Sequence, residues 1–174
     1  MTNTAKSLTK IALLTSIICV VSPFALPISS VPITLASLII FIISGIFKPK
    51  ITTFSVLAYV FIGIVGVPVF SSFTGGFHVI FGASGGYILA YPIVAFLISY
   101  LTTKFNGKII YPISFILGTL VLYAFGTIWY MVILKTNLYA SLTICVVPFL
   151  IIDAIKIIIA SIILITLNKT LKTL

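Results

Sequence analysis

Pro148-Phe149-Leu150-Ile151-Ile152-Asp153-Ala154-Ile155-Lys156-Ile157-Ile158-Ile159-Ala160 lies inside an apolar run, residues 142–168, long enough for a helix to cross a bilayer. Two charges interrupt it. Asp153 is the only acidic residue among 174. A charge at bilayer depth costs about 2.5–3.5 kcal/mol on insertion scales. On a helix, a spacing of three puts Asp153 and Lys156 on one face, within reach of each other. Ionisable groups in such segments mark functional sites by default. The residues alone leave a second reading open, a structural salt bridge that pins the last helix to its neighbours. Proline suits the first turn of a helix, so the helix is expected to restart near Pro148. Asp153 then falls in its second turn, towards the outer leaflet, where the helix dipole favours a carboxylate.

The rest of the chain agrees with a membrane setting. It is 61% hydrophobic and only 6% charged, with a mean hydropathy of +1.41, which no soluble domain matches. Six apolar segments can be drawn, at about 8–21, 33–47, 52–67, 87–103, 111–134 and 142–168. The expected fold is an all-α membrane protein, one domain over 1–174, with six transmembrane helices and a Gly-rich outer loop between the third and fourth. An even number of spans puts both termini on one side, together with Lys6, Lys10, Lys48, Lys50, Lys104, Lys108, Lys169 and Lys172. Only Lys135 falls in an opposite loop, so the termini are expected to be cytoplasmic by the positive-inside rule. The net charge of +9 is therefore topological, and its scattered lysines do not suit nucleic acid. Residues 11–26 resemble a signal peptide but lack a clear cleavage site, so a retained first helix is expected.

Residues 68–86 are too apolar for a solvated loop and too rich in glycine for a plain helix. Irregular backbone at membrane depth must be buried in protein or line a cavity, and glycine lets backbone approach a ligand. The segment is expected to form a lid or re-entrant loop on the outer side, above Asp153. His78, the sole histidine, has too few companions for a metal site; it is either a surface polar residue or a ligand contact. Cys19 and Cys145 lie in apolar segments without metal-ligand spacing and read as small buried hydrophobes. No P-loop or G-x-G-x-x-G motif occurs, so the chain carries no nucleotide loop of those kinds. One carboxylate and one histidine leave classical acid–base hydrolysis almost without parts.

Four stretches, taken in order, carry a resemblance. They are Val31-Pro32-Ile33-Thr34-Leu35; Tyr59 through Gly63, Gly66 and Pro68 to Phe70; Gly75-Gly76 with Gly82-Ala83-Ser84-Gly85-Gly86-Tyr87; and Pro148-Phe149 with Asp153 and Lys156. Together they resemble the BioY family, the biotin-specific substrate-binding (S) components of energy-coupling factor (ECF) transporters. Three positions depart from its pattern. Ala36 stands where the family usually has Gln, Ala83-Ser84 where it has Pro-Thr, and Ile151-Ile152 where it has Pro-Gly.

The resemblance implies a multi-pass protein of a prokaryotic cytoplasmic membrane that captures biotin from outside. Its implied partners are a transmembrane coupling protein and two ABC-type ATPases. It needs no cofactor, since ATP is used only in the partners. Asp153 and Lys156 would meet the ureido edge of biotin, one accepting and one donating, in charge-assisted hydrogen bonds. Thr34, Tyr87, Trp129, His78 and the Gly75-Gly76 backbone are further binding candidates. Tyr87 and Trp129 could flank the apolar body of the ligand or sit in an interfacial belt. Ala12 and Ser16, four apart on the first helix, are candidates for contact with the coupling protein. An S component for another vitamin, or a structural subunit that binds nothing, are the competing readings.

Overall fold

Hydropathy and helix-ending residues together set the architecture. The computed structural model describes residues 3–26, 31–105 and 107–171. Eight helices run in order: α1 (Asn3–Val21), α2 (Ala36–Ile46), α3 (Pro49–Val65), α4 (Phe77–Ile80), α5 (Gly85–Lys104), α6 (Ile110–Leu134), α7 (Leu138–Cys145) and α8 (Leu150–Leu171). A two-residue antiparallel pair, β1 (Ala25–Leu26) with β2 (Ile33–Thr34), joins α1 to α2. This pair is an addition to the all-helical expectation, and the second helix starts at Ala36 rather than at residue 33.

Among the described residues, four segments are long and apolar enough to cross a membrane: Thr4–Val21, Gly85–Lys104, Ile110–Leu134 and Leu138–Leu167. Two further apolar helices are shorter, and α2, with 11 residues, extends only about 16 Å. The short helices are explained by their ends. Pro49 opens α3, and Gly66, at φ 116°, closes it in the left-handed region. The last span is broken: α7 ends at Cys145, Val147–Phe149 form a 3-10 turn around Pro148, and α8 starts at Leu150. The break expected at Pro148 is present, but Asp153 lies in the first turn of α8 rather than the second.

Small residues let the helices close on one another. A Cβ on Gly118 of α6 would meet the side chains of Ile98 and Val94 of α5. A Cβ on Gly45 of α2 would meet Leu164 of α8. Phe41 and Phe115 stack in the centre with ring centroids 5.2 Å apart. Hydroxyls join α1 to α3: Thr15 donates to the Ser55 carbonyl at 3.1 Å, and Ser22 to the Tyr59 hydroxyl at 2.8 Å. Outward faces carry exposed Leu13, Phe61, Phe96, Ile116 and Ile158, the pattern of helices that face lipid.

Candidate functional site

The ion pair lies where several chain segments meet. Asp153 and Lys156 are 7% and 6% exposed. The Lys156 ammonium donates to Asp153 Oδ1 at 3.0 Å and to Ser37 Oγ of α2 at 2.9 Å. The second carboxylate oxygen, Oδ2, accepts from the Tyr123 hydroxyl of α6 at 2.9 Å. Each charged group thus has one partner on its own helix and one on another. Desolvation of an ion pair is tolerable only when such added bonds satisfy it. The amide end of α8 adds favourable potential, because Asp153 sits in its first turn. Tyr123 falls near the middle of the 25-residue α6. The pair therefore meets α6 near its midpoint.

These groups line a small cavity of about 40 Å³. Its wall is polar to an extent unusual for this chain. Thr34, Ser37, Ser71, Ser84 and the rings of Tyr59, Tyr87, Tyr91 and Tyr123 contribute. Apolar surface comes from Val31, Ala36, Ile88, Leu122 and Phe149. Tyr87 and Phe149 stack with centroids 6.1 Å apart, and the Tyr87 hydroxyl donates to the Cys145 carbonyl at 2.6 Å. That carbonyl belongs to the last residue of α7, so Tyr87 satisfies an orphan acceptor at the break. Thr34 is the side-chain partner of the Tyr91 hydroxyl.

Of the residues singled out from sequence, Asp153, Lys156, Thr34 and Tyr87 converge on the cavity, while Gly75, Gly76, His78 and Trp129 do not line it. Their places have physical reasons. The Gly76 N–H donates to the Gly63 carbonyl at 2.7 Å, with φ 105°. A Cβ on Gly75 would meet the Val67 carbonyl. These glycines fold the loop onto itself. His78 is exposed on α4. Trp129 donates its indole N–H to the Gly82 carbonyl at 3.2 Å and so braces the loop from behind.

The loop reaches the cavity through serines instead. Phe70 is fully buried, edge-on to Tyr59 at 5.7 Å. It can insert because Gly63 has no side chain: a Cβ there would meet the Phe70 ring. This anchor brings Ser71 to the cavity. Ser72 N–H donates to the Pro23 carbonyl at 2.9 Å, and Phe73 packs edge-on against Phe24 at 5.6 Å. The Gly-rich segment and the start of the α1–α2 connection thus form one cover. At its other end, Gly85 and Gly86 press α5 onto α6. A Cβ on Gly86 would meet Trp129 Cβ and the Phe125 carbonyl, and one on Gly126 would meet the Tyr87 ring.

Sequence reasoning missed Ser37, Tyr59, Tyr91, Tyr123 and Phe149. Tyr87 and Tyr91 share one helix face by their spacing of four, a signal that was legible. Tyr123 and Ser37 carried none, lying 30 and 119 residues from the charges they bond. Ala12 and Ser16 are both exposed on α1, and the Ser16 hydroxyl donates to the Ala12 carbonyl at 2.9 Å. Among the described residues, no group of three or more His, Cys, Asp or Glu could hold a metal ion.

Known proteins are similar to this chain over nearly its whole length. Biotin transporter BioY2 of Lactococcus lactis subsp. cremoris is 36% identical over 157 residues, covering 90% of this chain and 86% of that protein. Biotin transporter BioY of Thermotoga maritima is 30% identical over 164 residues, covering 94% and 96%. The crystal structure of an S-component for biotin from an ECF-type ABC transporter superposes with a TM-score of 0.84 at 29% identity, over 97% of this chain and 95% of that one. The pattern of the BioY family matches residues 1–173. With the family pattern matched over residues 1–173 and a relative 36% identical across 90% of the chain, this protein belongs to the BioY family.

Proposed function

We propose that this protein is the biotin-binding S component of an ECF-type transporter, taking up biotin across the cytoplasmic membrane. The observation that carries the reading is the buried Asp153–Lys156 pair in the wall of a polar cavity, in a chain of the BioY family.

The hydrogen-bond inventory fits a cyclic urea. Lys156 has three N–H groups, and two are taken by Asp153 and Ser37. The third can donate to the ureido carbonyl. Each Asp153 oxygen accepts one bond from the protein and keeps capacity for a ureido N–H. Tyr87, Tyr91 and Phe149 offer ring surface to the apolar bicycle. A ligand lacking the ring N–H would leave a buried carboxylate short of a partner, a strong basis for rejection. Pockets for small ligands typically measure about 300–1,000 Å³, so this reading has the cavity widen on binding. The cover formed by residues 66–84 is the natural lid.

Both termini are proposed to be cytoplasmic, on the lysine distribution. A transmembrane coupling protein and two ABC-type ATPases would supply energy. The exposed face of α1 at Ala12 and Ser16 suits the coupling protein. The Ser16 hydroxyl is already satisfied within its own helix, so a partner helix can approach closely without stranding it. No cofactor enters this scheme, and ATP is consumed only in the partner chains.

Calorimetry of the purified full chain with biotin, without ATP, tests the reading. Binding is expected, with Asp153→Asn and Lys156→Ala each at least about tenfold weaker, as for loss of a charged hydrogen bond. Unchanged affinity in both variants would remove the site assignment. Parallel titrations with thiamin, riboflavin and cobalamin separate biotin from other vitamins.

A further inference from the structure

Tyr123 borders two spaces at once. On one side it lines the polar cavity, with its hydroxyl on Asp153 Oδ2. On the other it lines a groove of about 340 Å³ between α6 and α7. The groove is walled by Leu120, Ala124, Ile128 and Leu142. Leu120 and Ile128 are 57% and 62% exposed, so in a membrane this groove faces lipid. One turn along α6, Thr127 also lines it, with a buried hydroxyl that has no partner. Tyr123 therefore stands between the cavity that holds the ion pair and this groove.

We propose that Tyr123 is a positioning residue for Asp153 and the wall that keeps the binding cavity closed to lipid. The inference rests on the biotin-binding reading above and extends it to a residue on another helix. The hydroxyl works through geometry. Lys156 holds Oδ1 from within α8, and among the described residues Tyr123 holds Oδ2 from α6. With both oxygens fixed, the carboxylate plane is fixed, and its remaining lone pairs keep a set direction for a ligand N–H. Without the hydroxyl, Oδ2 loses its protein partner and the carboxylate can turn to engage Lys156 with both oxygens, which withdraws it from the ligand. The ring works by exclusion. Groups that recognise a ligand act more strongly when the site is enclosed and fixed, and a shorter side chain would join the cavity to the groove.

Calorimetry on the full chain in detergent or nanodiscs, with biotin as probe, decides it. Tyr123→Phe keeps the ring and removes the hydroxyl; it is expected to weaken biotin binding about tenfold, the loss of one hydrogen bond to a charged group. Tyr123→Leu removes both and is expected to weaken it further. Unfolding temperature is expected to fall for either role, so the deciding readout is the Kd of the folded protein. A Tyr123→Phe protein that unfolds earlier but binds with wild-type Kd overturns the positioning role. Equal affinities for the Phe and Leu variants overturn the wall. Should the Phe variant not fold, a Leu variant with wild-type affinity overturns both. If wild-type protein fails to bind biotin at all, the functional reading falls, and this inference with it.

Discussion

The start of α8 and the Gly-rich segment, residues 68–86, both stand out in the sequence, and both border one cavity, yet they do so in opposite ways. The start of α8 contributes its conspicuous residues directly: Asp153 and Lys156 line the wall. The Gly-rich segment contributes its inconspicuous ones, Ser71 and Ser84, while Gly75 and Gly76 stay away from the cavity. A buried charge must be met by partners, so its position is dictated by chemistry. A glycine is selected by what it lacks, and the structure here uses that lack for helix contact and turn geometry. The comparison teaches that a charge inside an apolar run points to a site, whereas a cluster of glycines points to close packing near one.

Substitutions can break this contrast. The largest effect is expected from Lys156→Ala, which leaves the Asp153 carboxylate buried and half-partnered. Loss of about 3–5 kcal/mol of stability is expected by chemical unfolding, together with biotin affinity. Replacing both charges, as Asp153→Leu with Lys156→Leu, is expected to recover most of that stability, since apolar packing often matches a buried pair. Binding should stay lost. A double variant that unfolds as readily as Lys156→Ala would show that the pair serves to hold the helices. Next come the packing glycines. Gly86→Ala sets a methyl against Trp129 and the Phe125 carbonyl, and a cost of about 1–3 kcal/mol is expected from overpacking. Gly76→Ala forces a side chain onto a backbone at φ 105°, for about 1–2 kcal/mol. For both, thermal unfolding should shift more than the Kd of the folded protein. The smallest effect is expected from His78→Ala on the exposed face of α4, within about 0.5 kcal/mol in stability and with unchanged biotin titration.

The sequence carried the membrane class, the positions of the apolar segments and the break at Pro148, because each depends on local composition. It also put Asp153 and Lys156 on one helix face. The second and third of the six segments are short for a 30 Å bilayer core in the sequence, and among the described residues they form the two shorter apolar helices beside four long spans; Pro49 and Gly66 bound α3. Trp129 drew attention as a ring that could flank a ligand, but it does not line the cavity and its indole N–H bonds the Gly82 carbonyl.

What the sequence determined by itself is where this chain must leave water and which two charges it carries with it. Hydropathy and helical periodicity act over a few residues, and they can be read one segment at a time. Only the tertiary structure decided what those charges meet. Tyr123 and Ser37 reach them across 30 and 119 residues, and Phe70 reaches Tyr59 because Gly63 makes room. Such contacts depend on how helices pack, and no local pattern encodes which hydroxyl, of the many in this chain, will lie beside the one carboxylate.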